Sequence, residues 1–134
     1  MQIAFFLLPK SETVYLTENL SVRQALEKMQ HHGYTAVPLL DKKGHYVGAI
    51  TVADFLWYIK DKHDMNMDKA EKMPLTDIPR KHNNQPVSIN ANIKDLFLVA
   101  LEQNFIPVID DLGVFIGIVR RREIMDYYLS HGAI

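Results

Sequence analysis

Apolar residues fall along this chain in two alternating periods. Val22, Ala25, Leu26 and Met29 recur at helical spacing, with Ser21 and Gln24 ahead of them as a capping box and Gly33 behind as a stop. Tyr34 to Pro38 then leads into a strand ending at Leu40, and Tyr46 to Ile50 reads as a second short, buried strand. Between them Asp41 to Gly44 is a turn, with Gly44 suited to a positive φ. From Val52 the helical period returns, with Val52, Phe55, Leu56 and Ile59 on one stripe that runs to about Lys62. Ahead of all this, Thr13 to Leu16 predicts a short first strand. Ile3 to Leu8 predicts an extended arm that either packs on the core or crosses to a partner chain.

The second half repeats the first. Gly48, Ile50 and Asp54 are matched by Gly117, Val119 and Glu123, each 69 residues on (117 − 48). Val37 to Asp41 is matched by Ile106 to Asp110, and Gly44 by Gly113, at the same offset. Further back the register slips by a few residues, so that Tyr15-Leu16 lies over Ser88-Ile89 and Leu20 over Ile93. The second copy therefore predicts a strand over Val87–Ile89 and a helix over Ile93–Gln103, with Ile93, Leu96, Phe97 and Ala100 on one face. Strands over Phe105–Ile109 and Val114–Val119 follow, then a helix from Arg121 to Leu129.

Each copy reads strand, helix, strand, strand, helix. Such a unit is too small to bury a face alone, so two should pack together. The boundaries expected on this pattern are residues 1–62 for the first repeat with its arm, 63–73 for a polar linker, and 74–134 for the second repeat. Pro74 and Pro79 should hold the opening of that second repeat extended, and Lys81 to Gln85 reads as a polar loop.

The chemistry concentrates where a strand runs straight into a helix. Such a turn leaves backbone N–H groups unpaired at the positive end of the helix dipole, which suits a phosphate. Thr51 adds a hydroxyl there. Asp54, one turn in, adds a carboxylate able to accept both hydroxyls of a ribose diol. The same two residues also serve as a helix cap and a dipole complement, and a lone copy would favour that simpler role. In the second copy Arg120-Arg121-Arg122 is the densest basic run, and three positive charges at a helix start oppose the dipole unless an anion joins them.

Composition removes several classes of function. The chain has 134 residues, is 48% hydrophobic and carries a formal net charge of −1, so no global field draws it to nucleic acid or anionic lipid. It has no cysteine, which excludes disulfides and thiolate metal sites. Met1 to Leu8 is apolar but lacks a basic lead and a cleavage pattern, and no run approaches a membrane span; a soluble cytoplasmic protein is the expectation. His31, His32, His45, His63, His82 and His131 show no metal spacing. No nucleophile elbow or glycine-rich phosphate loop marks a catalytic site, so no enzyme is expected. Trp57, Tyr58, Leu98, Val99, Tyr127 and Leu129 lie off the main stripes of their helices, an apolar excess that favours a homodimer.

With the repeat in place, nearly the whole chain resembles a tandem pair of CBS domains, a Bateman module. The carriers are Ala36 to Asp41, Gly44, and the Gly48, Ile50, Thr51, Asp54 set, then Ile106 to Asp110, Gly113, and the Gly117, Val119, Glu123 set. Leu75 to Arg80, with Arg121-Arg122, is also similar to stand-alone firmicute CBS proteins that include cyclic di-AMP receptors.

The resemblance implies an α/β (α+β) fold of two repeats about a pseudo-twofold axis, with an adenine nucleotide bound in one or both clefts between them. It places adenine against Tyr34, Ala36 and Val37 and around Thr13 and Val14, the ribose on Asp54 and phosphate on Thr51. Glu123 takes the acidic position of the second copy. Arg120 stands where Thr or Ser is usual, the segment before Pro107 is shortened, and Phe105 occupies the adenine-contact position. Arg121 and Arg122 would then supply phosphate charge. The expected function is a regulatory sensor of cyclic di-AMP, or of AMP, ADP or ATP, acting on another protein. The alternative is a constitutive interaction or oligomerisation module with vestigial nucleotide sites.

Overall fold

A computed structural model describes residues 1–62, 65–81 and 84–131. His63 and His82, the first two residues of the expected linker, part of the 81–85 loop and the last three residues of the second repeat lie outside the described residues. The strands are β1 (Leu8–Pro9), β2 (Leu16–Thr17), β3 (Ala36–Leu40), β4 (Tyr46–Thr51), β5 (Val87–Ser88), β6 (Phe105–Ile109) and β7 (Phe115–Arg120). The helices are α1 (Val22–His32), α2 (Val52–Asp61), α3 (Met67–Lys72), α4 (Ile93–Ala100) and α5 (Arg121–Ser130). They form two compact units. One is residues 14–83; the other joins residues 1–13 to 84–134.

In the 14–83 unit, β2 pairs parallel with β3, and β3 antiparallel with β4. Local signals build these elements as expected. Ser21 and Gln24 form the reciprocal capping box of α1, and Gly33 closes it in the left-handed conformation at φ 72°. The β3–β4 turn needs Gly44 at φ 86° and is tied by Asp41, whose Oδ1 accepts the N–H groups of Lys43 and His45 at 2.8 and 2.9 Å. The His45 N–H above all holds the Asp41 carboxyl below the usual range. The first strand falls at Leu16–Thr17 rather than Thr13–Leu16, because Thr13 instead ends a 3-10 turn and donates its hydroxyl to the Pro9 carbonyl at 2.9 Å.

The core of this unit gathers Leu16, Val22, Ala25, Met29, Val37, Leu39, Ile50 and Phe55, together with Ala70, Leu75 and Ile78. Packing crosses the expected boundaries at two places. Most of the segment expected as a linker is α3, capped by Asn66 on the Lys69 N–H at 2.9 Å, with Ala70 buried beneath it. Position in sequence assigns Leu75 and Ile78 to the repeat that follows, but burial joins them to the one before. Each buried side chain of this size contributes roughly 1.5–3 kcal/mol. Backbone bonds from Val22 to Met73 and from Leu75 to Leu20 fix the segment there.

The other unit is a four-stranded sheet in the order β1-β7-β6-β5 over a core that includes Ile3, Phe6, Leu96, Ile106, Val108, Val119 and Ile124. The N-terminal arm packs on the core of its own chain. It is not extended throughout: Ile3–Phe6 forms a 3-10 turn that buries Ile3 and Phe6 before β1 pairs with β7. Gly117 is what admits that strand, since a Cβ there would stand 2.2 Å from the Leu8 carbonyl oxygen. The β6–β7 turn copies the first, with Gly113 at φ 82° and Asp110 Oδ1 accepting from Leu112 and Val114 at 2.8 and 3.0 Å.

On α2 the apolar stripe is not the buried face. Phe55 is buried, but Val52, Leu56 and Ile59 are exposed, and the residue buried beside Phe55 is Asp54. The capping box draws Asp54 back to Thr51. Of the residues off the stripes, Tyr58, Val99 and Tyr127 pack against cores, while Trp57, Leu98 and Leu129 are exposed. No helix among the described residues is long and apolar enough to cross a membrane.

Candidate functional site

The β3–β4 ladder places Ala36 opposite Thr51 and Val37 opposite Ile50, and the Val52 N–H donates to the Thr35 carbonyl at 2.9 Å. Tyr34, Ala36 and Val37 therefore share one end of the hairpin with Thr51 and Asp54. β2 pairs with Leu39 and Leu40, so among the described residues no strand pairs with the Ala36–Val37 end of β3 on its β2 side. Val37 is buried; Ala36 is half-buried. Tyr34 is exposed, its ring stacked 11° from parallel with that of His32, so it belongs to the surface and not to the core. Val14 packs against the core of the same unit.

Thr51 and Asp54 form a complete capping box. Thr51 Oγ1 accepts the Asp54 N–H at 3.2 Å, and Asp54 Oδ2 accepts the Thr51 N–H at 2.8 Å. The second carboxylate oxygen, Oδ1, accepts the Lys81 N–H at 3.3 Å. Asp54 does not lie on an exposed rim: it is only 3% exposed. A carboxylate has about four acceptor positions, but at 3% exposure a further donor reaches this one only if a neighbouring group moves.

The second strand-to-helix turn is built differently. Arg120 supplies no side-chain cap, and its Nη2 donates instead to Glu123 Oε1. An ion pair thus replaces the hydroxyl–carboxylate box. Phe105 sits opposite Arg120, as Ala36 sits opposite Thr51, and puts a ring where the first copy has a methyl group. The two arginines that follow divide in role. Arg121 donates through Nε to the Ala100 carbonyl at 2.7 Å and through Nη1 to Asn104 Oδ1 at 3.1 Å, tying the start of α5 to the end of α4. Arg122 carries its guanidinium into solvent, 3.7 Å from Asp126. Thr13 belongs to this same unit, whereas Val14 belongs to the other.

Lys81 is the contact that sequence reasoning misses. It reaches Asp54 from 27 positions away through a backbone N–H, which leaves no residue-type signal. Its ammonium lies 5.8 Å from the ring centroid of Trp57, a residue the sequence marks only as off its stripe.

The chain is similar to proteins already described. A Bacillus subtilis (strain 168) protein named Cyclic di-AMP receptor B is 27% identical over 131 residues, covering 94% of this chain and 85% of its own. A solved structure of CbpB in complex with c-di-AMP matches with a TM-score of 0.87 at 20% identity, covering 97% of this chain and 85% of that one. The Listeria monocytogenes CbpB protein, also in complex with c-di-AMP, matches at 0.83 and 19% identity over 96% of each chain. At such identities the two structures speak for the fold. The family model for the CBS domain matches residues 7–61 and again 75–130, the two stretches that carry the repeated hairpins and strand-to-helix turns, and the chain belongs to the CBS domain family.

Proposed function

We propose that this protein is a non-enzymatic regulatory sensor of an adenine nucleotide, with cyclic di-AMP preferred and AMP, ADP or ATP as alternatives. The observation that carries the reading is the Ala36–Thr51 register, which sets the half-buried Ala36 beside a hydroxyl and a carboxylate. In the proposed roles Tyr34, Ala36 and Val37, with Thr13 and Val14, meet adenine. Thr51 takes phosphate and Asp54 the ribose, and Arg122 adds phosphate charge; Arg121 and Glu123 contribute mainly by positioning. The preference for cyclic di-AMP is supported by the Bacillus receptor at 27% identity. A ligand alters a downstream protein only by favouring one arrangement of the sensor over another.

A thermal-shift screen over AMP, ADP, ATP, cyclic di-AMP and S-adenosylmethionine tests this. At a hundredfold excess over Kd, binding adds roughly 2.7 kcal/mol of stability. A flat profile at millimolar concentration favours the second reading, a constitutive interaction module. The Arg120–Glu123 pair and the Phe105 ring in the second copy support that reading. In either case the exposed Val52, Leu56, Trp57 and Ile59 on α2 support a homodimer. Light scattering should give a dimer mass, reduced towards monomer by Trp57→Glu.

A further inference from the structure

Asp54 is held unequally. Its Oδ2 sits in a tight capping box at 2.8 Å from the Thr51 N–H, while the Lys81 N–H reaches Oδ1 at 3.3 Å, the long end of a hydrogen bond. The Lys81 segment is anchored just upstream by Ile78, 4% exposed in the core. It grips α2 at two points, its backbone on Asp54 and its ammonium over Trp57, which stands at i+3 from Asp54 on the same helical face. Between the anchor and the grip, Arg80 has its Nη1 buried with no hydrogen-bond partner among the described residues. An unsatisfied buried donor is a standing penalty on that conformation.

We propose that residues 78–81 are a displaceable strap on the nucleotide site, whose Lys81 N–H holds the Asp54 carboxylate until a ribose hydroxyl replaces it. This rests on the reading of Asp54 as the ribose acceptor. The strap is suited to exchange, because its bond to Oδ1 is long, its hold on Trp57 is a single exposed cation–π contact, and Arg80 opposes closure. While it is down, Asp54 is nearly sealed from solvent, so apparent affinity falls with the fraction of molecules whose strap is raised. Ligand binding then does more than fill a site. It frees a stretch of backbone downstream of Ile78, and occupancy becomes a change in local order that a partner protein can read.

The test is amide hydrogen exchange by NMR on the whole chain, free and saturated with cyclic di-AMP, with AMP as a second probe. The Lys81 amide should exchange faster when nucleotide is bound, while the amides of Thr51 and Asp54 stay protected. Lys81→Ala keeps the N–H but removes the grip on Trp57. It should tighten nucleotide affinity roughly two- to fivefold, the equivalent of one exposed cation–π contact. Nucleotide binding that leaves Lys81 equally or better protected would overturn the strap, as would a Lys81→Ala variant that binds no tighter. Failure of every adenine nucleotide to bind would remove the sensor reading and the strap together. Binding with an unmoved Lys81 removes the strap alone.

Discussion

Replacing Asp54 by Ala tests both duties of one carboxylate. The substitution deprives the Thr51 N–H of its acceptor at 2.8 Å and the Lys81 N–H of its acceptor at 3.3 Å. The second bond is long enough to count for little. The first is a bond to a charged group at a helix start with Asp54 buried, and its loss should cost about 2 kcal/mol, within the ranges for caps and for charged hydrogen bonds. For a chain of this size that lowers Tm by roughly 6–12 °C. Removing the proposed ribose acceptor should weaken nucleotide binding by a further ~1.5–3 kcal/mol, or roughly 10- to 150-fold in Kd. Asp54→Asn retains an oxygen for Thr51 and should lose less stability, while still offering the ribose a poorer acceptor. Melting followed by circular dichroism separates the first effect, and calorimetric titration on the folded fraction measures the second. An Ala variant that melts lower but binds with unchanged affinity would make Asp54 purely structural. One that melts within about 2 °C of the parent would refute the capping argument instead.

Three further substitutions probe the other unit. Gly117→Ala places a Cβ 2.2 Å from the Leu8 carbonyl and should drive β1 off β7, uncovering Ile3 and Phe6. The expected loss is about 3–5 kcal/mol, from two large apolar side chains, read as a lower urea midpoint and early proteolysis of the arm; an unchanged midpoint would contradict it. Arg121→Gln should lower stability by about 1.5–3 kcal/mol through its bonds to Ala100 and Asn104, with no preference among ligands. Arg122→Gln should leave melting unchanged and weaken cyclic di-AMP more than adenosine, a difference that shrinks as salt rises. Equal losses for both ligands would show that Arg122 does not touch phosphate.

What could be read in advance was what depends on near neighbours. Ser21 and Gln24 stand three apart, Asp41 and Gly44 likewise, and each pair encodes its cap or turn without reference to the rest of the chain. The offset that aligns Gly48 with Gly117 carries those turns into the second half, and with them the hairpins. Side-chain type says much less about partners far along the chain. Leu75 and Ile78 are apolar in either assignment, and only the core they complete decides which repeat owns them. Asp54 reads from its place one turn into a helix as a carboxylate open to a diol, yet a backbone donor 27 residues away and the capping box draw it inward. The α2 stripe misled for a related reason. Periodicity shows that a face is apolar, not whether its own unit or something else covers it. Arg121 and Arg122 are the same residue type one position apart, and only geometry separates a strut from an exposed charge.

The pairing of Leu8 with Ile118 has a consequence in time as well as in space. The two strands are 110 residues apart (118 − 8). At a synthesis rate of ~5–20 residues per second, roughly 6–20 s pass between the emergence of one and the other. Within that interval residues 14–83 become complete and have a continuous core to fold around. Phe6 can meet Phe97 of α4 earlier, but the strand that pairs with Leu8 and the Tyr127 ring that covers Phe6 arrive only with β7 and α5. The arm emerges well before the strand that seats it. That makes the arm the stretch a chaperone would have to guard, and the piece two nascent copies could most readily exchange.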